Sequence, residues 1–273
     1  MNTALMIIFF LFGTIIGSFL NVVILRYRSG RTLQGRSMCF SCGKTLTWFE
    51  LVPIGSFLTQ KGKCAGCGTR ISWQYPVVEA ITGFLFVALY VRFEYLLTQI
   101  PLLFAILFAY YAFIFCLLLV MSVYDLKHKI LPDGMTMLFA SVTFIGMFLL
   151  KGDALILHIP NGWDCVAGLL LPAPFSLLWL ASKGKWMGLG DAKLMIGIGF
   201  MLGLSTGTAA ILLSFWVGAG ISLLVLLGLV LFTKQNKVSL KTAIPFGPFL
   251  AFGTFTAFLF SVNIESIMRF FAR

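Results

Sequence analysis

Apolar residues run along this chain in long blocks separated by short polar breaks. The blocks lie at roughly 4–25, 76–93, 101–123, 135–150, 164–181, 190–204, 207–232 and 243–263, and each predicts a membrane-spanning helix. The sixth is short and glycine-rich. The first block, "ALMIIFFLFGTIIGSFLNVVILR", also invites a reading as a cleavable signal peptide. It fits that reading poorly: Met-Asn-Thr before it carries no basic side chain, the apolar stretch exceeds a signal core, and the basic residues follow it. A retained first helix is expected. Only residues 27–75 form a long polar segment. The expected organisation is therefore a first transmembrane helix (1–26), a loop domain (27–75) and a seven-helix domain (76–273).

Composition removes the soluble alternatives. The chain is 60% hydrophobic and 11% charged, with a mean hydropathy of +1.00, too little polar surface to clothe a water-soluble domain of 273 residues. An all-α, polytopic membrane protein of about eight transmembrane helices is expected. Charge then orients it. Sixteen of the twenty basic residues fall on one side: Arg26, Arg28, Arg31, Arg36, Lys44, Lys61, Lys63 and Arg70 after the first span, Lys127 and Lys129 after the third, Lys183, Lys185 and Lys193 around the loop after the fifth, and Lys234, Lys237 and Lys241 after the seventh. Arg92, Lys151, Arg269 and Arg273 are on the other. By the positive-inside rule the heavy side is cytoplasmic and both termini face outward. The net charge of +11 is thus explained by topology, with no nucleic-acid partner needed.

The polar segment carries "CFSC" (Cys39, Cys42) and "CAGC" (Cys64, Cys67), with Gly43 and Gly68 following the second cysteine of each pair. Two such turns are similar to the halves of a zinc ribbon, and four thiolates would close a structural Zn2+ site with no position left for water. Two disulfides or four free thiols are the alternatives, and a reducing cytosol disfavours the disulfides. Cys116 and Cys165 stand alone in apolar spans and read as small buried hydrophobes. Neither His128 nor His158 has a metal-ligand spacing.

Of nine carboxylates, Glu50, Glu94, Asp153, Asp164 and Glu265 are expected in solvent. Glu79, just inside the second span, either snorkels or serves a site. Asp125 closes the third span and Asp191 opens the sixth, so the topology puts both at the cytoplasmic boundary. Asp133 follows Pro132 where the fourth span begins and is placed to cap it. Gly188 and Gly190 flank the approach to Asp191 and permit close backbone contact. Taken singly, each acid suits a cap or an interfacial anchor. As a pair at one depth, Asp125 and Asp191 suit aspartic-protease chemistry: two carboxyls in a poorly hydrated site do not both ionise easily, so one activates water while the other polarises a carbonyl.

"GLGDAKL" at 188–194 resembles the GxGD signature of intramembrane aspartyl proteases, and "YDLKHKILPD" resembles the first-aspartate motif of the bacterial type IV prepilin peptidases. "GSFLNVVILR", the two-CxxC loop running on to "QYPVVEAITG", and "IPFGPFLAFG" follow that family's order. The resemblance implies a membrane endopeptidase of the bacterial inner membrane that removes the leader of prepilins or pseudopilins at the cytoplasmic face. It also implies N-methylation of the new terminus with S-adenosylmethionine. On this resemblance Asp125 and Asp191 are catalytic, Asp133 is supporting, and the methyltransferase residues fall in the cysteine loop, with Gly62, Lys63 and Glu79 as candidates. For Lys63 the plain alternative is one more positive-inside charge. Two departures touch loop geometry alone: "RYRSG" lacks the proline often found after the first helix, and Phe40 replaces a proline inside the first CxxC. Two rival functions remain. A zinc-regulated transporter would need coupling acids near the bilayer midplane, on interrupted helices. A non-catalytic assembly protein would tolerate loss of Asp191.

Overall fold

In a computed structural model the chain is described over residues 2–28, 32, 35–151, 154–185, 188–232 and 245–271. Asp153, Arg31, Lys234, Lys237, Lys241 and Arg273 lie outside the described residues, as does the start of the "IPFGPFLAFG" block. The polypeptide forms two compact units that meet in sequence between Cys116 and Leu117.

The first unit is organised by α1 (Thr3–Arg26) and α3 (Gln74–Gln99). The Asn2 side chain caps α1 by accepting the Ala4 N–H at 3.1 Å. The two helices approach closely because small residues line their seam: a Cβ on Gly17 would stand 2.7 Å from Glu79 Cα, and one on Gly13 would stand 2.8 Å from Gly83 Cα. Aromatic packing closes the far end, where Phe9 stacks on Tyr90 at 4.8 Å and meets Phe108 of α4 (Pro101–His128) at 4.9 Å. Between α1 and α3 lies the polar insertion, with a short 3-10 helix, Trp48–Leu51, and the five-residue α2, Gly55–Thr59.

The second unit is built on α8 (Leu189–Phe232), against which α5 (Asp133–Leu149), α6 (Gly162–Leu170) and α9 (Gly247–Leu259) pack. Glycine again sets the approach: a Cβ on Gly199 would lie 2.6 Å from the Ala167 carbonyl oxygen. α8 holds both the sixth and the seventh predicted spans, joined at Gly203, whose φ of 71° and ψ of −176° break the helix. A Cβ on Gly203 would stand 2.8 Å from Asp164 Oδ1, so this carboxylate packs at the break instead of lying free in a loop. The fifth predicted span is likewise two helices, α6 and α7 (Ala173–Ser182), divided at Leu171 and Pro172. Two features beyond the hydropathy pattern are a two-residue hairpin, β1 (Leu150–Lys151) with β2 (Ala154–Leu155), and a terminal helix α10 (Ile264–Phe271).

Among the described residues, five helices are long and apolar enough to cross a membrane: Thr3–Arg26, Gln74–Gln99, Pro101–His128, Gly162–Ser182 and Leu189–Val225. The apolar helices α5 and α9 have 17 and 13 residues, giving about 25 Å and about 20 Å of rise against a hydrocarbon core of about 30 Å. The protein is thus an all-α, polytopic membrane protein with a small cysteine-bearing insertion.

Candidate functional site

Asp125 sits in the last turn of α4 and is 5% exposed. The helix ends just beyond it, where Lys129 takes a φ of 55° and donates its N–H to the Asp125 carbonyl at 2.7 Å. The turn then buries Leu131 and Pro132 before α5 begins. Across 122 residues of sequence, the first residue of α9, Gly247, donates its backbone N–H to Asp125 Oδ2 at 3.0 Å. A helix N-terminus is a natural partner for a carboxylate, since its first N–H groups have no intrahelical acceptor. A side chain at Gly247 would abolish this fit, because its Cβ would stand 2.8 Å from Oδ2.

Asp191 is half-buried in the first turn of α8, within electrostatic range of Asp125. Leu131 packs against a glycine beside each acid. A Cβ on Gly190 would lie 2.9 Å from Leu131 Cβ, and one on Gly247 would lie 3.4 Å from Leu131 Cδ2. Gly190 therefore provides the close approach expected of it, whereas Gly188 is exposed, with its Cβ position 3.8 Å from Asp191 Oδ2. The end of α4, the α4–α5 turn and the starts of α8 and α9 thus converge around two carboxyls. Such a site can hold water against an acid and a base while excluding bulk solvent.

Asp133 is placed differently. Pro132 is the N-cap residue of α5 and no side chain caps the helix, so the expected cap is not formed. The Asp133 side chain is 60% exposed and pairs with Lys193 Nζ at 2.7 Å, tying α5 to the first turns of α8.

The cysteines form a second centre. The sulfurs of Cys39, Cys42, Cys64 and Cys67 all lie within 4.8 Å of one another, with Cys39 and Cys67 at 3.9 Å. Zinc–thiolate bonds of about 2.3 Å would set tetrahedral edges of about 3.8 Å, and a disulfide would need about 2.05 Å, so the set fits a metal ion and not two bridges. Both knuckles have the same build. Cys39 N–H donates to the Lys44 carbonyl and Gly43 N–H to the Cys39 carbonyl; Cys64 N–H donates to the Thr69 carbonyl and Gly68 N–H to the Cys64 carbonyl, all at 2.9 Å. Gly43 and Gly68 take φ of 71° and 72°, as the spacing predicts. The Thr69 hydroxyl and backbone draw the Cys67 thiol down to about 6, and the backbone N–H groups of Cys42 and Ser41 lower Cys39. At Cys42 the Lys44 N–H favours the thiolate, yet burial and the neighbouring sulfurs prevail and push it up to about 11. Four cysteine sulfurs at this spacing could hold a cation, which would favour the thiolate at each.

Residues 11–93 match the bacterial peptidase A24 N-terminal domain, and residues 112–223 match the type IV leader peptidase family. A prepilin leader peptidase/N-methyltransferase of Bacillus subtilis is 32% identical over 267 residues, 97% of each chain. The enzymes of that name from Aeromonas hydrophila and Pseudomonas aeruginosa are 32% and 30% identical, over 96% of this chain and 92% of theirs. This chain belongs to the type IV leader peptidase family. No solved structure matches it.

In this leader peptidase the remaining candidates do not share one cradle. Glu79 is buried in α3; its carboxylate accepts the Ile54 N–H at 2.7 Å and faces the Ser18 hydroxyl. Gly62, at φ 67°, lies under the Phe57 ring, with its Cβ position 3.1 Å from Phe57 Cζ, while Lys63 is exposed. Glu79 and Gly62 thus both frame α2, and no hydrogen bond joins them among the described residues. The Glu79 oxygens already have donors from the protein, which suits holding the insertion more than gripping a methyl donor. Glu50, expected in solvent, is 9% exposed at its side chain: Lys44 at 2.8 Å and the Thr47 backbone hold its carboxyl down to about 2. Cys116 is buried as expected, Cys165 only half so. Gly247 is the residue that sequence reasoning missed. It lay within a recognised block, but nothing local tied it to Asp125.

Proposed function

We propose that this leader peptidase cleaves type IV prepilins or pseudopilins by an aspartic mechanism centred on Asp125 and Asp191, and N-methylates the product. The observation that carries the reading is the buried Asp125, held by the Gly247 N–H and within electrostatic range of Asp191 among converging helix ends. One carboxylate takes a proton from water as the oxygen attacks the scissile carbonyl carbon, and the other, protonated, donates to the carbonyl oxygen. Collapse breaks the C–N bond: the proton taken from water passes to the leaving amine, and the proton lent to the carbonyl oxygen returns to the second aspartate as the C=O bond re-forms. Asp133 acts at one remove, through Lys193. The names of the relatives support both activities.

The four cysteines hold Zn2+ as a structural ion, fixing the insertion between α1 and α3. Methyl transfer is assigned to that insertion, with Gly62 and Lys63 at its second knuckle and Glu79 supporting α2. S-adenosylmethionine supplies an electrophilic methyl group. In topology, the protein crosses the bacterial inner membrane eight times, with the insertion cytoplasmic and both termini outside. Its partners are membrane-embedded prepilins and lipid.

Incubating the purified protein in membranes with a prepilin and the methyl donor, and reading the product mass, tests the function. A pilin shortened by its leader and carrying one added methyl is expected. An unshortened pilin would overturn the peptidase reading, and a shortened but unmethylated one the transferase reading.

A further inference from the structure

The cysteine insertion leaves a large apolar surface uncovered. Trp48 and Phe49, stacked at 3.5 Å, are 70% and 65% exposed. Leu51, Val52 and Leu58 are exposed as well, all within one stretch of eleven residues, 48–58. Large aromatic side chains this open to water, in one contiguous stretch, mark a contact surface.

The level of this surface is fixed by two contacts. The Ile54 N–H bonds Glu79 at 2.7 Å, only five residues into α3 from its first residue, Gln74. Leu51, Val52 and Leu58, within four residues of Ile54 in sequence, are thereby held beside the end of a membrane-crossing helix. Phe57 of α2 packs against Trp73, the N-cap residue of α3, at 4.8 Å. From Trp73 the exposed apolar positions continue along α3 as Val77, Ile81 and Phe84, spaced four, four and three residues apart, which is one face of a helix. The lipid-facing stripe of α3 therefore runs onto the insertion. Charge points the same way: residues 27–75 carry seven basic side chains (Arg28, Arg31, Arg36, Lys44, Lys61, Lys63 and Arg70) against the single carboxylate Glu50, which is paired with Lys44.

We propose that the insertion lies on the membrane surface, with Trp48, Phe49, Leu51, Val52 and Leu58 set into the interfacial region of the leaflet at the α1–α3 loop and its basic residues against anionic headgroups. Tryptophan suits that depth, with an apolar body and a polar tip, and basic side chains add attraction to acidic lipid. The zinc-fixed fold would then be a peripheral membrane module joined to its own anchor. This proposal is independent of the assignment of the two aspartates.

The full chain is reconstituted in phosphatidylcholine bilayers with and without phosphatidylglycerol, using acyl-brominated or ordinary lipid. The emission of Trp48 is the difference between the parent and Trp48→Phe, and Trp73→Phe gives a second reporter. Bromolipid should remove most of the Trp48 emission, more so with phosphatidylglycerol present, and aqueous acrylamide should remove little. Quenching by acrylamide but not by bromolipid would overturn the proposal and leave a surface facing water. Protection from both quenchers would also overturn it, in favour of a protein covering. Equal bromolipid quenching in neutral and anionic bilayers would overturn the electrostatic part.

Discussion

The two centres of this protein are built on opposite plans. The cysteine module is local: each knuckle closes within a few residues, Cys39 to Lys44 and Cys64 to Thr69, with a left-handed glycine at the same place in both. The acid site is assembled from distant chain segments, since Asp125 meets Gly247 across 122 residues and Leu131 bears on both Gly190 and Gly247. On the proposed reading the local centre depends on a metal, because so small a segment has little core of its own. The distant one depends on helix ends staying in register, so it should answer to changes of a single methyl group.

That contrast gives its largest test in metal removal. Structural zinc in small domains is worth on the order of 10 kcal/mol of folding free energy. Cys39→Ser or a strong chelator should therefore unfold the insertion and abolish methylation of a pre-cleaved pilin. Hydrogen exchange should rise across 38–70 and stay unchanged in residues 189–202. Unaltered exchange in the insertion would show that the cysteines do not depend on an ion.

At the acid site, Gly247→Ala should lower kcat for cleavage by about 100-fold, the usual cost of a misplacement of about 1 Å, with KM little changed. Methylation of a pre-cleaved pilin should persist, which separates displacement of Asp125 from loss of the whole fold. A parallel rise in KM with kcat intact would mean that Gly247 serves substrate binding instead.

The smallest expected effect concerns Glu50, whose carboxyl Lys44 holds down to about 2 from its usual 4.5. A depressed carboxylate contributes stability above its unfolded value and loses that contribution as pH falls through the folded one. The stability difference between the parent and Glu50→Gln, followed by hydrogen exchange in the insertion, should thus be constant near neutrality and shrink below about 4.5 towards about 2. A difference that did not vary with pH would mean that Glu50 contributes by packing alone.

The same contrast explains what could be read beforehand. Hydropathy located the apolar helices because a bilayer imposes length on each of them separately, and the CxxC spacing carried the metal geometry because both halves of each knuckle are sequence neighbours. The break at Gly203 falls where the sixth and seventh expected spans meet, so the apolar pattern located it. The division of the fifth span at Pro172 was hidden, because the apolar run continues across it. Asp133 carried a capping signal, yet its side chain pairs with Lys193, a partner sixty residues away. Glu50 reads as a solvated acid by type, yet Thr47-Trp48-Phe49-Glu50 has the capping-box spacing, and its carboxylate accepts the Thr47 N–H and hydroxyl and pairs with Lys44. Local chemistry was legible, and tertiary pairing was not.

The central claim is that Asp125 and Asp191 act together as the cleaving pair, and it is tested most directly by cleavage of a membrane-embedded prepilin. Asp125→Asn, Asp191→Asn and Asp133→Asn are compared, with methylation of a pre-cleaved pilin scored in parallel. The first two changes should each reduce cleavage by at least about 1,000-fold, as for catalytic groups that work as a unit, while methylation continues. Asp133→Asn, which loses an exposed ion pair, should stay within a few-fold of the parent. Normal cleavage by either Asp125→Asn or Asp191→Asn would contradict the account.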